Sequence, residues 1–179
     1  MNEYEIHLIG TIYPSVGSAY AYQVNGAAPV IKFSLFHFDI DTLELIALHD
    51  ALSSLPSNSK AFAHLRMDLC RKFTYKSYIV KEYQPSGWEP YMMINNLDLL
   101  CWNSSIDLVT LASDYDRKNP SPRSTKPEAL LLQAIQDKAD SFLESLPAYG
   151  FAGFEHLALE VMPGTVEFTT EAEALAYVD

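Results

Sequence analysis

The fold is decided by residues 4–38, which read YEIHLIGTIYPSVGSAYAYQVNGAAPVIKFSLFHF. Alternating β-branched and aromatic residues predict strands over Tyr4–Ile12, Ala19–Val24 and Val30–Phe38. The Asn25-Gly26 pair between the second and third strands is typical of a tight hairpin turn. Three strands joined in this order predict an antiparallel meander.

Two longer helices are predicted to pack on this sheet. The first begins at Asp41, whose carboxylate can cap backbone N–H groups, with Glu44 as its capping-box partner. The second covers residues 126–146. Its buried stripe is formed by Leu131, Ile135, Ala139 and Phe142. A short C-terminal helix is predicted after a further capping box at residues 170–173.

The middle of the chain is ambiguous. Residues 60–72 fit a strand or a helix, because their apolar residues recur with both periods. Further strands are predicted over residues 73–79, 91–94 and 97–102, and residues 106–112 fit either type. Because strands and helices do not alternate strictly, we expect an α+β fold. Residues 1–179 would form a single domain with a mainly antiparallel sheet, carrying two main helices and the short C-terminal helix.

Charge is distributed unevenly along the chain. The net charge is −11, and residues 128–179 contain ten acidic residues against one base, Lys138. Residues 60–81 are basic instead, with six Lys and Arg against Asp68. Such a field biases which partners approach and how fast, without setting the fold.

The sequence indicates a cytoplasmic protein. No apolar run reaches the roughly 20 residues that span a bilayer, and the acidic N-terminus is unlike a secretory signal. Cys70 and Cys101 form no Cys-x-x-Cys pair, so we expect two reduced thiols. Arg71 and Lys72 beside Cys70 could lower its pKa and make it a nucleophile, whereas Cys101 is expected in the core.

His37, Asp39 and Asp41 are the most suggestive set for chemistry. Residues two apart in a strand share a face, so the three side chains could converge as metal ligands or as a base and its orienting group. The simpler interpretation makes Asp41 a helix cap and Asp39 a loop residue. The other histidines do not have metal-ligand spacing, and no phosphate-binding loop or nucleophile elbow occurs. We therefore expect no catalytic residue, no metal and no cofactor.

The basic segment interleaves cations with aromatic residues, as in Lys72, Phe73, Tyr75, Lys76 and Tyr78. This pattern can bind single-stranded nucleic acid. The sequence pI of about 4.7 opposes such binding, because electrostatic attraction supplies most non-specific affinity for nucleic acid. Direct binding of nucleic acid is therefore not expected, and neither is binding to a membrane.

The sequence favours a non-catalytic, acidic protein-binding domain that neutralises a basic partner. Immunity-type inhibitors of nuclease-like toxins in bacterial competition fit this description in size and acidity, although no residue motif carries a family resemblance. Complementary charge would speed the association, and aromatic side chains would anchor it. The predicted contact residues are Asp137, Asp140, Glu144, Tyr149, Phe151, Glu155 and Glu160.

Two alternatives remain open from the sequence. One is a small enzyme or ligand-binding domain with a site assembled from distant residues, for which His37, Asp39 and His64 are the first candidates. The other is a DNA mimic that inhibits a nucleic-acid-binding complex. The partner's identity, the strand order and the oligomeric state stay open.

Overall fold

A computed structural model describes residues 1–13, 17–34, 38–73, 88–115 and 125–145. They contain a five-stranded sheet with the spatial order β3-β2-β1-β4-β5. Its strands are β1 (Asn2–Tyr13), β2 (Gly17–Val24), β3 (Val30–Ser34), β4 (Ser59–Leu65) and β5 (Asp107–Ala112).

The first three strands form the predicted antiparallel meander. β1 pairs with β2 from Ile6↔Val24 to Tyr13↔Gly17, and β2 pairs with β3 from Ser18↔Ser34 to Tyr22↔Val30. The turn after β2 holds Asn25 and Gly26 at φ values of 49° and 69°. Asparagine and glycine accept this left-handed conformation more readily than other residues, so this local prediction is confirmed.

The other half of the sheet is parallel, and the predicted mainly antiparallel sheet is wrong. β1 pairs with β4 in parallel, and β4 pairs with β5 in parallel, so the sheet is mixed. Parallel neighbours need a crossover connection, which helices usually provide. Helices do lie between β3 and β4 and between β4 and β5. Most of the second crossover was predicted as strands, and this prediction is wrong.

Four helices occur in the described residues, and two of them revise the predictions. They are α1 (Ile40–Ser53), α2 (67–73), α3 (Trp88–Ser104) and α4 (Pro127–Ser145). The strands predicted over 91–94 and 97–102 are wrong, since both stretches belong to α3. Residues 60–72 divide between a strand and a helix, with β4 ending at Leu65 and α2 following at residue 67. The predicted short C-terminal helix lies outside the described residues.

The sheet buries a different core on each face. Ile6 and Leu8 of β1 pack with α1 and α3 on one face of the sheet. Ile9 points to the other face and packs with α4. This alternation places α1 and α4 on opposite faces. Leu131, Ile135 and Ala139 of α4 are buried as the sequence predicts.

α1 approaches the sheet closely at Gly10. A Cβ atom built there would lie 2.6 Å from the Cβ of Leu43. Glycine therefore lets the first turns of α1 pack directly against β1.

In the described residues, no helix combines the length and the hydropathy needed to cross a membrane.

Candidate functional site

The candidate site lies where the parallel pairing between β1 and β4 ends. His7 and His64 are the last paired residues of the β1–β4 ladder, and Ser113 directly follows β5. In open sheets of this kind, ligands bind outside the carboxyl ends of parallel strands. Polar side chains from two strands and from the residue after a third therefore meet where a ligand is expected.

Two histidines stack against each other at this edge. Their ring centroids are 4.2 Å apart, with 15° between the ring planes. The Oε1 atom of Glu5 lies 3.0 Å from Nε2 of His64 and 3.5 Å from Nε2 of His7. Parallel pairing puts the rings side by side, and the two-residue spacing of Glu5 and His7 puts the carboxylate on the same face. The side chain of Glu5 is 58% exposed, so this group opens to solvent.

A buried carboxylate supports the pair from α4. Oε1 of Glu128 lies 3.4 Å from Nδ1 of His7 and accepts a 2.8 Å hydrogen bond from Oγ of Ser113. Burial alone would raise the pKa of Glu128, but hydrogen bonds from His7, from its own backbone and from Ser113 outweigh it and lower the pKa to about 2. The hydrogen bond to Glu128 also raises the pKa of His7, against the opposite effect of burial.

An open depression of about 290 Å³ adjoins Glu5 and His64. Tyr4 and Phe62 are among its lining residues. Lys60, Phe62 and His64 lie two apart on β4 and so share a face, and Nζ of Lys60 is 5.0 Å from the centroid of the Phe62 ring. A cation, an aromatic ring and an imidazole therefore follow one another toward the end of the strand.

A second charged cluster lies at the same edge on the α1 side. Arg66, which follows β4, donates a 2.9 Å hydrogen bond from Nε to Glu44, whose side chain is 1% exposed. Arg66 also pairs with Asp41, which pairs in turn with Lys72. Each carboxylate in this cluster contacts at least one permanent cation.

The groups on the α4 side are suited to hold a metal ion. Glu5, His7 and His64 each offer one ligand atom, and these atoms all lie within 4.8 Å of one another. Two imidazoles and one carboxylate on one face are a recurrent ligand set for first-row transition metals.

The structure separates the residues predicted to converge around residue 39. The carboxylate of Asp39, not that of Asp41, caps α1 by accepting a 3.0 Å hydrogen bond from the backbone N–H of Thr42. Asp41 lies in the first turn of α1 and pairs with Arg66 and Lys72. His37 lies outside the described residues. Of the residues named for an assembled site, His64 belongs to the cluster described above.

The predicted protein-contact residues are only partly covered. Asp137 is exposed on α4, where it accepts a 2.6 Å hydrogen bond from Nε2 of Gln133. Asp140 and Glu144 also lie on α4, but their side chains are outside the description. The remaining four lie outside the described residues, namely Tyr149, Phe151, Glu155 and Glu160.

Sequence reasoning missed the histidine cluster and considered a thiol that is unsuited to catalysis. Glu5 and His7 alternate on a confidently predicted strand, which was the available signal for a shared face. Nothing local indicated that His64, 59 residues after Glu5, would join them. Cys70 and Cys101 are both buried thiols, and burial raises the pKa of Cys70 rather than activating it.

Comparison with solved structures reveals the fold. Ribonuclease H1 from the halophilic archaeon Halobacterium salinarum NRC-1 aligns with a TM-score of 0.51 at 11% identity, over 76% of this chain and 99% of that one. The chain therefore has a ribonuclease H-like fold. LC11 ribonuclease H1, isolated from compost by a metagenomic approach, aligns with a TM-score of 0.48 at 11% identity, over 78% and 99% of the two chains. No family model and no curated protein sequence matches the chain.

This comparison corrects the sequence-based prediction of function. A non-catalytic, immunity-type toxin inhibitor was expected, with no enzymatic activity. The fold is instead the one found in ribonuclease H1, an enzyme rather than an inhibitor. The acidic composition that suggested an inhibitor describes the net charge, which carries no information about the fold.

Proposed function

We propose that this chain is an enzyme that cleaves phosphodiester bonds in nucleic acid at the edge where His7 and His64 meet. One observation carries most of the weight: the Glu5–His7–His64 group, supported by Glu128, lies at the carboxyl ends of the parallel strands in a ribonuclease H-like fold. Such edges are where ligands bind in open sheets.

Local chemistry supports a nucleic-acid substrate despite the net charge of −11. The depression beside Glu5 and His64 is open and includes the ring of Phe62, with Lys60 nearby. Bases stack on exposed aromatic rings, and a neighbouring amine attracts phosphate. The row of Lys60, Phe62 and His64 would thus lead a strand toward the histidines.

Hydrolysis needs a base for the attacking water and an acid for the leaving oxygen. The water oxygen bonds to phosphorus while the ester P–O bond breaks, and its electron pair stays with the leaving oxygen, which takes up a proton. His64 and Glu5 are 3.0 Å apart beside the open depression, so they can position the attacking water, whose proton passes to bulk water, and bulk water supplies the proton that the leaving oxygen takes up. His7 is less accessible, and Glu128 positions it.

Cleavage assays on the full chain test this function. RNA, DNA and an RNA–DNA hybrid, each labelled at one end, would be incubated with the protein with and without Mg²⁺, Mn²⁺ or Zn²⁺. We expect at least one substrate to be cut, and His64→Gln to slow cleavage by about 100-fold or more. His49→Gln is the matched control, because His49 is exposed on α1, on the other face of the sheet.

Two results would overturn the proposed activity. One is no cleavage of any substrate by folded wild-type protein under all metal conditions. The other is cleavage by His64→Gln at the rate of His49→Gln, which would place the chemistry elsewhere or in a contaminant.

A further inference from the structure

We propose that Glu5, His7 and His64 bind one divalent transition-metal ion of the zinc class, with Glu128 as the group that orients His7. The two separations from the carboxylate of Glu5 fit this assignment, and all three ligand atoms lie within 4.8 Å of one another. Ligands about 2.0–2.1 Å from a tetrahedral zinc ion lie about 3.3 Å from one another. The carboxylate oxygen of Glu5 lies 3.0 Å and 3.5 Å from the two Nε2 atoms.

The buried carboxylate sets the form of the His7 ring. Metal-binding histidines usually donate their second N–H to a carboxylate or carbonyl, which fixes the tautomer and aims the other nitrogen at the metal. Nδ1 of His7 faces Glu128 at 3.4 Å, and Ser113 holds the same Glu128 oxygen. A proton on Nδ1 leaves the lone pair of Nε2 directed toward Glu5 and His64.

The backbone brings the ligands together before any ion arrives. Glu5 and His7 lie on β1 and His64 lies on β4, and the register between these adjacent strands is fixed by their ladder. The rings are 15° from parallel with centroids 4.2 Å apart, so their lone pairs lie in separate planes and can converge on one ion only if the rings tilt toward each other. Metal binding should therefore replace the ring stack with a tilted pair.

The ligand types select the metal. Magnesium and calcium prefer sites built from oxygen atoms, whereas two imidazoles with a carboxylate suit zinc and its neighbours. The exposure of Glu5 leaves one side of the group open to solvent. An open coordination position is typical of catalytic rather than structural zinc sites.

A bound metal ion would also offset negative charge at this edge of the sheet. Among the described residues, the carboxylates of Glu5 and Glu128 face histidines and leave an excess of negative charge on the α4 side of this edge. A phosphate group would approach more favourably once a divalent ion offsets that excess. This last step rests on the proposed function, but binding of the metal does not.

Calorimetric titration of the metal-free full chain with Zn²⁺ tests the site. We expect one ion per chain, with affinity at least tenfold lower in His64→Gln and in Glu5→Gln, and 10- to 100-fold lower in Glu128→Gln. His49→Gln should bind as wild type does. Glu5 is exposed, so Glu5→Gln keeps the test valid if a buried variant fails to fold.

The outcomes separate the two proposals. The proposed metal site is overturned if the wild-type chain does not bind Zn²⁺. It is also overturned if His64→Gln and Glu5→Gln both bind Zn²⁺ as tightly as wild type does. If such a protein still cleaves nucleic acid with Mg²⁺, the proposed function survives without this site. Stoichiometric binding that requires His64 and Glu5, in a chain that cleaves no substrate, confirms the site and removes the proposed function.

Discussion

Two charged clusters lie at the same edge of the sheet, and they are built on opposite principles. On the α1 side, the carboxylates of Asp41 and Glu44 pair with the permanent cations of Arg66 and Lys72. On the α4 side, the carboxylates of Glu5 and Glu128 face histidines, whose charge depends on protons or on a bound ion.

The difference separates a structural network from a chemical site. Permanent charges in balance hold α1 and α2 against the end of β4 and leave little capacity for a ligand. Histidines between carboxylates can change protonation or coordinate a metal within the same frame. Substitutions on the α1 side should therefore affect stability first. On the α4 side, substitutions of the exposed Glu5 should affect binding and activity first, whereas those of the buried Glu128 should affect stability as well.

Removing Arg66 should produce the largest loss of stability. Arg66→Ala removes the guanidinium that pairs with the Glu44 carboxylate, whose side chain is 1% exposed. Loss of one partner of a buried ion pair typically costs about 3–5 kcal/mol. Urea denaturation measures this change. Arg71→Ala is the control, because the exposed Arg71–Asp68 pair is 3.8 Å apart and such pairs contribute about 0–1 kcal/mol. Equal effects of the two substitutions would show that the α1-side cluster is not structural.

Glu128→Gln should destabilise the metal-free protein by about 2–3 kcal/mol at neutral pH, since hydrogen bonds to a buried charge are among the stronger ones. The pKa of Glu128 is about 2 in the folded state against an ordinary value of 4.5. Its contribution is therefore present above pH 4.5 and is lost as pH falls toward 2.

Urea denaturation across this pH range, in the presence of a chelator, checks whether the contribution of Glu128 to stability falls on acidification. The difference between wild type and Glu128→Gln should shrink on acidification. Asp137→Asn, an exposed carboxylate on the same helix, should show little difference at any pH. A gap that widens toward pH 2 would contradict the assigned role of Glu128.

Gly10→Ala should cost about 2 kcal/mol, because overpacking a tight contact usually costs 1–3 kcal/mol. The new methyl group would lie 2.6 Å from the Cβ of Leu43, so β1 and α1 would have to separate. Thermal unfolding measures the loss. At Gly26 an added Cβ meets nothing within 4 Å, so Gly26→Ala should cost about 1 kcal/mol or less, through its φ of +69°. A Gly10→Ala protein as stable as wild type would show that this face of the sheet is loosely packed.

Glu5→Gln should have the smallest effect on stability, within about 0.5 kcal/mol, because the side chain is largely exposed. Its loss of zinc affinity should nevertheless be large. Parallel measurement of unfolding free energy and zinc affinity on this variant tests whether the α4-side cluster binds rather than stabilises. A variant that loses stability but keeps zinc affinity would reverse that assignment.

Local sequence signals predicted the elements that depend on local structure. Alternation gave the three strands of the meander, and Asn25-Gly26 gave the turn between β2 and β3. The stripe of Leu131, Ile135 and Ala139 gave α4. In each case the pattern of residues close together in the sequence is enough to predict the element.

The errors arose where two local interpretations were equally good. The apolar and aromatic residues of 91–102 suit a strand, and Asn95-Asn96 resembles a turn between two strands. Packing decides otherwise, because Ile94, Leu97 and Cys101 are buried together at helical spacing in α3. Around Arg66 the chain changes from strand to helix, so both periods were present.

The candidate site could not be predicted because it depends on parallel pairing. Glu5 and His64 are 59 residues apart, and they meet only because β4 lies beside β1 in the same direction. Because a mainly antiparallel sheet was predicted, nothing indicated that β1 and β4 would be neighbours. Residues that do lie close in sequence, such as Asp39 and Asp41, were weighed as a site and instead cap and anchor α1.

The most direct test of the account is a Zn²⁺ titration of the full chain followed by NMR of the histidine ring nitrogens. The resonances of His7 and His64 should shift together and saturate at one equivalent of Zn²⁺, while those of His49 stay unchanged. Saturation without a change in His7 and His64, or equal shifts at His49, would contradict it.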